Sequence, residues 1–66
     1  MKNKERYMNA LIKNNGKLNE IDLGEKLFID ANDTMEIISQ LLSEYKIVYE
    51  TYGVCNYKVI KKPNGK

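Results

Sequence analysis

Residues 18–47 read LNEIDLGEKLFIDANDTMEIISQLLSEYKI, and the spacing of their apolar positions decides the architecture. In the second half Thr34, Met35, Ile38, Leu41, Leu42 and Tyr45 share one face at helical period, which predicts a helix from about Asp33 to Tyr45. Asp30, Asn32 and Asp33 all suit its N-cap, and Lys46-Ile47 ends it. In the first half Asn19 is a ready N-cap for a shorter helix over Glu20–Phe28, with Glu20 and Asp22 at its positive end. Ile21, Leu23 and Leu27 form its inward face. Gly24 falls mid-helix, where glycine costs about 1 kcal/mol relative to alanine. Such a cost predicts a close approach by another helix. Phe28 to Asn32 is then the turn.

Working outward, Tyr7, Met8, Leu11 and Ile12 draw one helical stripe within Asn3–Asn14. Asn14-Asn15-Gly16 tolerates the left-handed conformation that stops a helix. Lys17-Leu18 is a short extended link. On the other side, Ile47–Thr51 and Asn56–Ile60 are rich in β-branched and aromatic residues, with Tyr52-Gly53-Val54-Cys55 between them. That is a hairpin. The expectation is an α+β fold: three helices and a C-terminal β-hairpin over residues 1–61, with a flexible tail at 62–66. The sheet has two strands, or three if Lys17-Leu18 pairs.

Composition removes most chemistry. The 66 residues include no histidine and one cysteine, so neither a zinc site nor a cysteine–imidazole pair can be assembled. The four glycines are isolated, so no phosphate-cradling loop exists. No enzyme activity, metal or cofactor is expected. Runs such as Ile37-Ile38 are far too short for a bilayer, so no membrane partner is expected. No apolar stretch of signal-peptide length follows the basic start, and a lone Cys55 fits a reducing compartment. A cytoplasmic location is the expectation.

The order helix, helix, helix, hairpin resembles the winged-helix branch of the helix-turn-helix superfamily. The resemblance rests on Leu18 with Ile21, Leu23-Gly24-Glu25-Lys26-Leu27, then Ile38, Leu41-Leu42, Tyr45 and Ile47, and finally Tyr57-Lys58-Val59-Ile60. Three positions depart from the family's pattern. Gly24 stands where alanine is usual, Phe28 where a small residue makes the turn, and Lys46 where glycine follows the third helix. A left-handed residue is therefore expected at Lys46. The resemblance implies duplex-DNA binding and transcription regulation, with the third helix as the reading element.

The charges speak less simply. Net charge is +2, yet basic and acidic side chains stand five to one in residues 1–17, one to seven in 18–45 and five to one in 46–66. The helix that the resemblance sends into the major groove is the acidic one. Its outward face offers Ser39, Gln40 and Ser43 as base-edge candidates among Asp33, Glu36 and Glu44. Phosphate contacts would fall to Arg6 and Lys13 on the first helix and Lys58 and Lys61 at the wing. The alternative is a protein-interaction module without nucleic-acid binding, using Ile37 with Tyr49, Tyr52, Val54 and Tyr57 on a hairpin too small to bury them all. Opposite charge on different elements also suits a homodimer. Cys55 is expected to be a small hydrophobe near the turn.

Overall fold

The computed structural model describes residues 2–51 and 53–60. Its order is α1 (Lys2–Asn14), α2 (Glu20–Lys26), α3 (Ala31–Ser43), β1 (Ile47–Tyr49) and β2 (Tyr57–Val59). The strands pair antiparallel in a two-stranded sheet, with Ile47 opposite Val59, Val48 opposite Lys58 and Tyr49 opposite Tyr57. This α+β order is compatible with the winged-helix arrangement expected from the sequence. Tyr52, Lys61 and the 62–66 tail lie outside the described residues.

Each helix boundary has a local cause. Asn19 caps α2 by accepting from the Ile21 amide at 2.8 Å. Asp30, one of three candidates, caps α3 by accepting from the Asp33 amide at 2.8 Å, so α3 begins and ends about two residues earlier than the spacing predicts. α1 stops where expected, with Asn15 (φ 51°) and Gly16 (φ 80°) both left-handed. α2 ends at Lys26, short of Phe28, because Phe28 itself is left-handed at φ 63°. After α3 the left-handed residue is Tyr45 (φ 59°), not Lys46. The Lys46 amide bonds back to Leu41 O at 3.0 Å, which places Tyr45 at the turning position.

Among the described residues the core is formed by Tyr7, Leu11, Leu23, Ile29, Ile37, Ile38, Leu41, Ile47 and Cys55. The rotation of α3 differs from the sequence reading. Its buried set is Thr34, Ile37, Ile38 and Leu41, while Met35 and Tyr45 face solvent and Leu42 is half-buried. Ile37, expected on the interaction surface, is therefore inside, as part of the core. The cause is at Gly24. A Cβ built there would overlap the Thr34 hydroxyl and lie 3.1 Å from Thr34 Cβ, so α2 and α3 meet backbone to side chain at this point. Thr34 must face α2, and Ile37 then turns toward α1. The close approach predicted from Gly24 is present.

Two further expectations shift for similar reasons. α1 buries Tyr7, Leu11 and Asn14, a stripe rotated away from Ile12, which is 55% exposed. Asn14 is polar but satisfied: its amide donates to Leu18 O and accepts from Leu18 N, both at 2.9 Å. That pairing occupies the backbone groups a third strand would use, and Lys17-Leu18 does not join the sheet. On α2, Leu23 is the buried apolar residue, with Ile21 and Leu27 half-buried at its sides.

Gly24→Ala should lower stability by about 1–2 kcal/mol, the overpacking cost exceeding the gain in helix propensity. Adding Thr34→Ala should recover part of that loss. Urea unfolding of the two single variants and the double variant measures the coupling, and strict additivity would contradict the contact.

Candidate functional site

The surface of α2, its turn and α3 is acidic as folded. Asp22, Glu25, Asp30, Asp33 and Glu36 are all exposed there, against one exposed lysine, Lys26. Ser39 and Ser43 are exposed and Gln40 is half-buried beside them, so the three base-edge candidates do share one face of α3. The Ser43 hydroxyl donates to Gln40 O at 2.8 Å, which leaves its lone pairs as the outward feature.

The basic candidates are dispersed. Arg6 donates to Leu27 O and Asn3 Oδ1, each at 2.9 Å, so its guanidinium caps the end of α2. Lys4 and Lys46 both reach Glu44, at 2.6 and 3.6 Å. The hydrogen bond from Lys4 is the main reason the Glu44 carboxyl titrates below its ordinary range. Lys58 lies 4.0 Å from Glu50. Lys13 is exposed with no ion-pair partner among the described residues. Lys61 lies outside them.

Apolar exposure is the feature that composition did not reveal. Phe28, at the tip of the α2–α3 turn, is 95% exposed. Tyr45 stands out at the far end of α3, and Tyr49 and Val54 project from the hairpin as expected. Tyr57 is half-buried against the core, its ring edge-on to Tyr49 with centroids 5.5 Å apart. Between the last turns of α1 and the hairpin runs an open cleft of about 510 Å³, lined by Leu11, Ile12, Tyr57 and Val59 and equally by Asn15, Glu50 and Lys58. Phe28 carried one sequence signal, its place where a small residue is usual. The cleft carried none.

Glu20 is the other residue the sequence reading undervalued. It is buried, and its carboxylate accepts from Asn56 N at 3.0 Å and Asn56 Nδ2 at 3.1 Å. Its own carbonyl accepts from the Tyr7 hydroxyl at 2.9 Å. Around it sit Cys55, which donates to Tyr57 O at 3.3 Å, and the Tyr57 ring. Burial is the largest cause holding the Cys55 thiol above its ordinary 9.0 and the Tyr7 and Tyr57 hydroxyls above 10.0, with Glu20 adding to each. A thiol kept protonated is a poor nucleophile, so this cluster is built for packing. No group of three metal-ligating side chains exists among the described residues, and none of their helices is long and apolar enough to cross a membrane.

No family model, curated protein or solved structure matches the chain.

The raised thiol and phenols set an alkaline limit. Each keeps its proton in the folded state after the unfolded state has lost it. The unfolded state then binds fewer protons, and stability falls as pH rises. Stability from these groups should be intact at neutral pH and decline from about pH 8.5, where free thiols begin to ionise. Urea midpoints across that range check this, and Cys55→Ala should flatten the first part of the decline. A midpoint rising with pH would contradict the burial of these groups.

Proposed function

We propose that the chain is a winged-helix protein-interaction module whose α2–turn–α3 surface meets a protein rather than duplex DNA. The supporting observation is that this surface displays five carboxylates and an outward phenylalanine where a DNA reader would carry cations. Each carboxylate brought beside a phosphate costs about 1 kcal/mol at 4 Å even in water. Arg6, Lys4, Lys46 and Lys58 meanwhile have partners within the protein. An aromatic anchor with a charged surround suits a protein partner.

The second reading is a small DNA-binding transcription regulator acting as a homodimer. It is favoured by two helices joined through a short turn, with Ser39, Gln40 and Ser43 together on one face. Its phosphate contacts would come from Lys13 and Lys58, both exposed.

Titration of a mixed-sequence duplex at low and moderate salt separates the readings. The interaction module should bind no tighter than about 10⁻⁴ M, the weak end of non-specific affinity, even at low salt. Micromolar binding with a steep salt slope would support the regulator instead. In that case Asp33→Lys with Glu36→Lys should raise affinity if α3 faces the duplex.

A further inference from the structure

We propose that the surface formed by α2, its turn and α3 takes an arginine-bearing basic segment of another protein. One guanidinium stacks on the Phe28 ring, and neighbouring cations pair with Glu25, Asp30 and Asp33. The proposal rests on the protein-interaction reading and adds the chemistry of the partner. Phe28 is the anchor. Its side chain is 95% exposed, and Met35, 44% exposed, is the other large apolar side chain that this surface leaves outside. The turn that carries the ring is firmly held. Leu27 N and Ile29 N both donate to Gly24 O, and Phe28 N donates to Glu25 O, each at 2.9 Å. Arg6 donates to Leu27 O from α1. A ring on a fixed turn loses little conformational freedom when a partner covers it.

The carboxylates decide what meets the ring. Elsewhere the fold supplies its acidic side chains with partners: Lys4 and Lys46 for Glu44, Lys58 for Glu50, and the Asn56 donors for buried Glu20. Asp22, Glu25, Asp30, Asp33 and Glu36 are exposed, and none has an ion-pair partner among the described residues. A neutral or acidic partner seated on Phe28 would take water from these carboxylates and put nothing in its place, whereas hydrogen-bonding cations replace it. Arginine meets both demands at once. Its planar guanidinium stacks on an aromatic face and donates in its own plane to carboxylates, while lysine offers a point charge without a face. The arginine comes from outside the chain. Arg6 is the sequence's one arginine, and it is already bonded to Leu27 O and Asn3 Oδ1. A second copy presenting this same surface would bring like charges together.

An NMR titration with a peptide alternating arginine and serine tests this, about twelve residues at about 3.3 Å each being long enough to cross the surface. Amide shifts should centre on residues 22–36, with a Kd between about 10 μM and 1 mM at low salt and weaker binding at high salt. The same peptide with lysine in place of arginine should bind several-fold more weakly, and with glutamate it should not bind. Phe28→Gly leaves every carboxylate in place and relieves the left-handed strain. It should therefore unfold at higher urea yet weaken binding at least about tenfold. Glu25→Gln with Asp33→Asn keeps the ring and should weaken binding similarly. No shift over residues 22–36, lysine equal to arginine, or binding that survives Phe28→Gly would overturn the arginine contact. Shifts over 22–36 that grow with protein concentration alone would overturn it too, and give the surface to a second copy. All of these leave the protein-interaction reading standing, whereas micromolar duplex binding removes that reading as well.

Discussion

The hairpin depends on Glu20. Two strands of three residues do not hold together alone in water, and here they carry only Ile47 fully into the core, with Cys55 buried just ahead of β2. The Glu20 carboxylate takes the backbone and side-chain N–H groups of Asn56, which lies just before β2. The Glu20 carbonyl takes the buried Tyr7 hydroxyl from α1. One residue at the start of α2 therefore ties the first helix, the second helix and the hairpin into a single unit. Burying a carboxylate is costly unless hydrogen bonds and favourable charge offset it. Two donors and the positive end of α2 supply both. A chain of this size buries only about 60% of its unfolded surface, so such a junction carries weight that a larger core would make unnecessary.

The second constraint is the contact between Gly24 and Thr34, because it fixes the roll of α3 and so decides which residues any partner meets. Gly24 was legible as a close approach from sequence alone. The roll was not. The apolar stripe of α3 is broad enough to be centred on Leu42 and Tyr45 or on Ile37, and periodicity does not choose between them. Packing chose Ile37, since Thr34 has to sit over the missing Cβ. α1 shows the same limit: Ile12 belongs to the apolar stripe, yet Asn14 takes the buried position because its amide completes the Leu18 backbone. Element order, the Asn19 cap and both strands were readable because each has a local signal. Glu20, Ile37 and the cleft were not, because each is set by a residue far away in sequence.

All three helices end on left-handed residues, and the choice at each end is informative. α1 uses Asn15 and Gly16, which adopt that conformation cheaply. α2 and α3 use Phe28 and Tyr45, for which it costs about 1–2 kcal/mol apiece. Against a total stability of roughly 5–15 kcal/mol for a small domain, that is a substantial fraction. Neither ring recovers it by burial, since they are 95% and 77% exposed. A local rule broken twice without internal compensation points to a role outside the fold. The outward aromatics, rather than the serines and glutamine of α3, stand at the centre of the functional question.

Net charge is a poor guide to what this molecule attracts. The protein measures 35 × 28 × 18 Å, about two to four times the roughly 8 Å over which charge is screened at physiological ionic strength. A partner at the α2–α3 surface therefore senses its five exposed carboxylates and little of the exposed Lys13, Lys17 and Lys58 on other elements. A partner at those lysines senses little of the carboxylates. The sum of +2 describes neither surface. Salt weakens contacts at both, so salt dependence alone cannot tell a polyanion on the lysines from a carboxylate-bearing protein. What differs is the apolar component. A duplex laid across Lys13 and Lys58 leaves the outward Phe28 ring unused, whereas a protein partner on the α2–α3 surface meets ring and carboxylates together.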